Sequence, residues 1–160
     1  LGKSTGVAYV GTNSSVLYDD LQDAINACGT EGTITLVKSI LVTTSQRKNI
    51  PSNKTITINL NGNELKGYSN SSVIYNEGTL NIENTEDEGG IICSAENAIY
   101  NAGNNNIYLN AKLESSGNGI YNAGSGIIYA NADIIAGESG VYNAGSGTIE
   151  VGEVNLISEK

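Results

Sequence analysis

The chain contains no histidine, phenylalanine, tryptophan or methionine, one proline, and a single arginine, Arg47. Without histidine, neither a Ser-His-Asp nor a Cys-His arrangement can form. Without a CxxC pair or a Cys/His cluster, a zinc site has no ligand set, and neither a metal nor a cofactor is expected. The two cysteines, Cys28 and Cys93, are far apart in the chain. They read as small buried hydrophobes rather than as a disulfide. Basic residues are scarce, 8 against 17 acidic ones, for a net charge of −9. Such a surface repels phosphate, which argues against nucleic acid and against anionic membranes as partners. Membrane insertion is not expected either, because no run approaches the ~18 apolar residues a spanning helix needs. No secretory signal or sorting motif is evident, and the start at Leu1 reads as an excised piece of a longer protein.

The residues that are abundant are strictly patterned. Four copies of one phrase run through the second half: Ile74-Tyr75-Asn76-Glu77-Gly78, Ile99-Tyr100-Asn101-Ala102-Gly103, Ile120-Tyr121-Asn122-Ala123-Gly124 and Val141-Tyr142-Asn143-Ala144-Gly145. Their tyrosines are 25, 21 and 21 residues apart. A fixed period near 20 is the mark of stacked coils, none of which buries its apolar face alone. Seven residues after each of the last three repeat tyrosines comes Ile107, Ile128 or Ile149, and nine after comes Leu109, Ala130 or Val151. Between them stand Tyr108, Tyr129 and Glu150, so apolar and outward positions alternate as in a strand. Lys112-Leu113-Glu114 and Asp133-Ile134-Ile135 supply a third strand per coil. Three strands in 21 residues describe an all-β fold, a right-handed parallel β-helix of about six coils. A left-handed hexapeptide helix would need a six-residue subperiod and a leucine-rich repeat its own Leu and Asn spacing; both are absent. At roughly 4.8 Å per rung the rod would be about 30 Å long.

Residues 1–32 read as a separate cap before the β-helix of residues 33–160. Val7-Ala8-Tyr9-Val10 suggests a short strand. Ser14 or Ser15 could then cap a helix from about Val16 to Cys28, with Leu17, Leu21, Ala24, Ile25 and Cys28 on its apolar face. Gly29 follows where a left-handed residue often ends a helix. Such an amphipathic helix would cover the open end of the first coil. Thr33–Val37 and Thr55–Leu60 alternate as half-buried strands, the second closed by an Asn61-Gly62 turn. At the other end, Ile149, Val151, Leu156 and Ile157 have nothing after them to cover them. The expectation is that the native chain continues, and that the isolated segment associates weakly through this end.

Stacking turns repeats into columns. With Ile74, Ile99, Ile120 and Val141 inward, Tyr75, Tyr100, Tyr121 and Tyr142 face outward. Asn76, Asn101, Asn122 and Asn143 face inward again, where each amide can bond the ones above and below. The glycine two residues later can take the positive φ that the corner needs. The Tyr column, with Tyr108 and Tyr129 as a second pair, could hold the rings of a repeated glycan; stacked aromatics also simply stabilise parallel strands. The carboxylates (Glu86, Asp87 and Glu88 in one turn; Asp133, Glu138, Glu150 and Glu153 later) form no recognisable pair for glycoside hydrolysis. The Asn-Ala-Gly-Ser-Gly turns lack the Asp a calcium turn would use. Sequons at Asn13, Asn53 and Asn70 are expected by chance in an Asn-rich chain.

The stretch from Tyr18 to Gly67, followed by Ser72–Asn84 and the Ile-Tyr-Asn-Ala-Gly repeats, resembles the β-helix regions of secreted Gram-positive surface proteins in the broad pectate-lyase-like superfamily. The most specific parts are Leu21-Gln22-Asp23-Ala24-Ile25 and the Thr55–Gly62 strand. The resemblance covers nearly the whole chain and implies a capped right-handed parallel β-helix from a large, often wall-anchored, extracellular protein. The Asp, Arg and Lys positions used by the superfamily's enzymes have no matching set here. The expected function is therefore a non-catalytic stalk or adhesion module, with glycans or host and cell-surface proteins as partners. The alternatives are a carbohydrate-binding module using the tyrosines, and a piece of a polysaccharide lyase or hydrolase.

Overall fold

Strict alternation of inward Ile or Leu with outward polar residues makes each short segment of this chain a strand with one buried face. In the computed structural model, residues 5–43, 47–68, 71–94 and 96–159 are described. Strand β1 (Ala8–Val10) and helix α1 (Leu21–Ala27) precede the coils. The first coil is β2 (Glu31–Leu36), β3 (Ile40–Val42) and β4 (Lys48–Ile50). The second is β5 (Thr55–Asn59), β6 (Glu64–Gly67) and β7 (Ile74–Asn76); the third is β8 (Thr79–Glu83), β9 (Gly90–Cys93) and β10 (Ile99–Asn101). The fourth is β11 (Ile107–Asn110), β12 (Leu113–Ser115) and β13 (Ile120–Asn122); the fifth is β14 (Ile127–Ala130), β15 (Ile134–Ala136) and β16 (Val141–Asn143). Strands β17 (Thr148–Val151) and β18 (Leu156–Ser158) begin another.

Like strands of successive coils pair in parallel, giving three sheets: β2-β5-β8-β11-β14-β17 with β1 added, β3-β6-β9-β12-β15-β18, and β4-β7-β10-β13-β16. The result is a parallel β-solenoid of about 5 turns, slightly shorter than the coil count expected from the repeats. Register aligns like with like. Ile56, Leu80, Ile107, Ile128 and Ile149 form one inward column, and Leu65, Ile91, Leu113, Ile134 and Leu156 another. A single apolar cluster runs from Ala8 to Ala136. Cys93 belongs to a column of small inward residues with Gly67 and Ser115, and both cysteines are free and buried. Among the described residues no helix is long and apolar enough to cross a membrane.

The N-terminal end is closed by three devices. Strand β1 adds antiparallel to β2, sealing one sheet edge. Leu21, Ala24 and Ile25 of α1 are fully buried. The Gln22 side chain lies against β4, donating from Nε2 to the Asn49 carbonyl at 3.0 Å and accepting from the Asn49 N–H at 2.8 Å. One amide side chain thus exchanges both bonds that a neighbouring strand would.

The helix is shorter than the expected Val16–Cys28. Tyr18 is held in an antiparallel bridge to Ala8, so the chain cannot turn helical before Asp20. The N-cap is Asp20, which accepts from Gln22 N–H, rather than Ser14 or Ser15. At the other end Cys28 is extended and Gly29 is not left-handed. The Lys54 ammonium satisfies the last carbonyls instead, donating to Ile25 at 3.1 Å and also to Cys28. The Asn61-Gly62 turn does use positive φ, 50° and 78°. The third strands sit one residue later than expected, at Leu113–Ser115 and Ile134–Ala136. Far-UV circular dichroism should therefore be dominated by strand, with a helical contribution from only 7 residues; a helix-dominated spectrum would contradict the solenoid.

Candidate functional site: the tyrosine and asparagine columns

Parallel pairing of β7, β10, β13 and β16 places each Ile-Tyr-Asn triplet over the next. The middle residue faces out, and the four phenol rings stack. Their centroids are 5.4, 5.1 and 5.3 Å apart from Tyr75 to Tyr142, with interplanar angles of 7°, 10° and 25°. Tyr108 and Tyr129 stack likewise on the neighbouring sheet, at 4.8 Å and 4°. The Arg47 guanidinium lies over the Tyr75 ring, 4.2 Å from its centroid, and closes the N-terminal end of the longer column by a cation–π contact. The other end is open, and Tyr142 is 48% exposed. Ring faces along the column are therefore turned to one another. What reaches solvent is a row of ring edges and hydroxyls, plus the outer face of Tyr142.

Beneath the tyrosines runs the amide column. Asn76 Nδ2 donates to Asn101 Oδ1 at 2.9 Å, Asn101 to Asn122 at 2.8 Å, and Asn122 to Asn143 at 2.8 Å. Asn76, Asn101 and Asn122 are fully buried. Every amide points the same way, so the first acceptor is left over. Asn76 Oδ1 faces the Ile50 rung and has no hydrogen-bond partner. The glycines that follow are not left-handed. Their role is close approach: a Cβ on Gly103 would stand 2.6 Å from the Glu77 carbonyl carbon. Glycine is required there for space, not for φ.

The sequence reading missed Lys48. Its position in the first rung corresponds to the inward Ile74, and it is 3% exposed. Its ammonium reaches Asp20 Oδ1 at 2.8 Å, so the helix N-cap also neutralises a buried charge. Burial pulls the Asp20 carboxyl upward, but the hydrogen bonds from Lys48 and the Gln22 N–H, with the Lys48 charge, bring it below its usual value. A depressed carboxyl contributes stability that is complete above the unfolded value of about 3.9 and is lost as pH falls through the folded one. The hydrogen-exchange protection of α1, taken relative to the intrinsic rate at each pH, should fall below about pH 4, and Asp20→Asn should flatten that dependence. An unchanged acid profile in the variant would remove Asp20 from this role.

The carboxylates do not converge on a reaction centre. Asp87 and Glu88 line a groove of about 440 Å³ with Ser39, Glu64, Lys112 and Glu114. Two of its carboxylates are already paired, Glu64 with Lys66 and Glu114 with Lys112, each at 2.6 Å. Those contacts raise both lysines above their ordinary values. Asp133 accepts from the Asn155 N–H and side chain, which hold its carboxyl down. Glu150 stands next to Tyr129 in register; burial, then the Glu150 charge, push that phenol up. Among the described residues no group of His, Cys, Asp and Glu is spaced to hold a metal ion. Comparison with protein-family models, curated proteins and solved structures finds no match.

Proposed function

We propose that this chain is a non-catalytic structural segment, a stalk or adhesion module, of a protein displayed on the surface or wall of a Gram-positive bacterium. The observation that carries this reading is the destination of the repeat's chemistry. Asn bonds Asn and Tyr stacks on Tyr from one coil to the next, while the Glu64 and Glu114 carboxylates are taken up by Lys66 and Lys112, two residues away in the same coil. The repeated Asn and Tyr groups are used to hold coil to coil, as a rod under load requires. The resemblance to pectate-lyase-like surface regions supports the location and the right-handed winding. An activity screen on pectins and host glycans should show no turnover. Product formation that survives repurification and disappears on neutralising Asp87 and Glu88 would overturn the reading.

A second reading, glycan binding along the tyrosines, is favoured by the exposed row of hydroxyls and by the open face of Tyr142. Sugars usually pack onto aromatic faces, and in the four-ring column only the outer face of Tyr142 is left open; contact along the rest of that column would be edge-on through hydroxyls. A glycan array decides between the two. Saturable binding lost in the Tyr100→Ala, Tyr121→Ala double variant would favour the second, and no binding would favour the first.

A further inference from the structure

Oxidation chemistry has few places to go in this protein. There is no methionine, tryptophan or histidine, and both cysteines are buried. Tyrosine is left as the accessible side chain that gives up an electron most readily. Six of the nine tyrosines lie in stacks, and four of these form one continuous column. Rings in van der Waals contact exchange an electron much faster than a phenoxyl radical finds a partner in solution.

The column is also electrically asymmetric. At Tyr75 the Arg47 cation sits over the ring and disfavours a positive hole there. At the Tyr142 end the turn leading into β16 carries Glu138, and no such cation contact is seen among the described residues. The Arg47 charge therefore drives a hole formed in the column away from Tyr75 and toward Tyr142. Coupling inside the stack is geometrically poor, because the carbon–carbon bond of a dityrosine joins ring edges, whereas these rings lie face to face within 25° of parallel. Tyr142 is the member with an open face and a half-exposed edge.

We propose that the Tyr75–Tyr142 column is a relay for one-electron oxidation, and that Tyr142 is its outlet, a site of dityrosine cross-linking to a second copy of this chain. The oxidant is of the haem-peroxidase class with hydrogen peroxide as final acceptor. Each of two phenols gives one electron to the peroxidase and one proton to water. The two phenoxyls join through their ortho carbons. The two displaced ring protons return to the oxygens through water, restoring both phenols. Two hydrogen atoms leave the pair in all, and one peroxide becomes two waters.

Tyr68 provides the discriminating reference, since it joins no stack among the described residues and is 61% exposed against 48% for Tyr142. Oxidation governed by exposure alone would favour Tyr68. The whole chain would be treated with a haem peroxidase and hydrogen peroxide at about 0.15 M salt, which screens repulsion between acidic copies. Cross-linked peptides would then be mapped by mass spectrometry. The expected result is that most dityrosine contains Tyr142 and that Tyr142→Phe removes most of the covalent dimer. Tyr121→Phe keeps a ring in the stack but cannot relay the hole, and should shift cross-linking to Tyr68; Tyr100→Phe should do so more weakly. Circular dichroism of each Phe variant establishes that it is folded. Predominant Tyr68 coupling in the parent chain would overturn the proposal. A Tyr142 preference untouched by Tyr121→Phe would overturn the relay.

Discussion

Asn122→Leu should lower the stability of this solenoid more than Tyr121→Ser, although the two residues are adjacent and the tyrosine is far larger. Asn122 is fully buried, accepts from Asn101 and donates to Asn143, both at 2.8 Å. Leucine has nearly the same branched shape but neither donates nor accepts. It would leave the buried Asn101 amide with only the Gly103 carbonyl at 3.5 Å, and would take the donor from Asn143 Oδ1, which is exposed and can turn to water. At about 1–3 kcal/mol for the one stranded buried group and less for the exposed one, the loss is roughly 1–4 kcal/mol. For a chain of this length that corresponds to a fall in Tm on the order of 3–13 °C. Tyr121→Ser removes two ring contacts worth about 0.5–1.5 kcal/mol each and leaves no buried polar group unpaired. Asn76→Leu should cost about as much as Asn122→Leu: it removes an acceptor that lacks a partner, but it also takes the donor from the buried Asn101 Oδ1 and from the Gly78 carbonyl. Thermal melts of the three variants test this order, and equal losses for Asn122→Leu and Tyr121→Ser would overturn it.

The columns were legible in the sequence because the repeat enforces them. Once Ile99, Ile120 and Val141 are superposed, period-two alternation leaves one facing for Tyr and one for Asn, and stacking supplies their neighbours. Nothing in that argument depends on contacts between dissimilar segments. The cap depends on little else. Tyr18 bridges to Ala8, Asp20 bonds Lys48, Gln22 bonds the Asn49 backbone, and Lys54 reaches back to Ile25. Each partner is distant in sequence and carries no local signature. The local sequence therefore points to Ser14 or Ser15 as the cap and to a helix longer than the one that forms from Asp20. Lys48 was illegible for a related reason. A lysine inside a column of isoleucines makes sense only when an acid from another element is known to meet it. The tyrosines were placed correctly as outward residues. That their faces are used up by stacking, however, follows from the rung spacing and ring tilt rather than from the pattern.

The repeat glycines were recognised as necessary, but for the wrong physical reason, and the difference sets the final expectation: Gly124→Ala should be among the most damaging single-methyl changes available to this chain. Its φ is ordinary, so alanine suits the local backbone and a conformational argument predicts little effect. The obstacle is the coil below. A Cβ at position 124 would collide with the Gly103 carbonyl oxygen and stand 2.8 Å from that carbonyl's carbon. Both are backbone atoms, with no flexible side chain to swing away. The coils cannot separate to make room, because Ala123 N–H is bonded to the Asn101 carbonyl at 2.9 Å and the Asn101–Asn122 amide bond lies beside it. The same approach recurs at Gly103 over Glu77 and at Gly145 over Gly124, so a shift in one rung propagates to the next. Overpacking typically costs about 1–3 kcal/mol, and a rigid backbone obstacle puts this case at or above the upper end. The expected fall in Tm is roughly 6–12 °C, or a failure to fold. Gly29→Ala is the matched control, with an ordinary φ and nothing within 4 Å of the new methyl. It should be neutral or stabilising by about 0.4–1 kcal/mol through the unfolded chain alone. If both variants melt with the parent chain, the coils are not in the close contact at this corner on which the whole column of glycines depends.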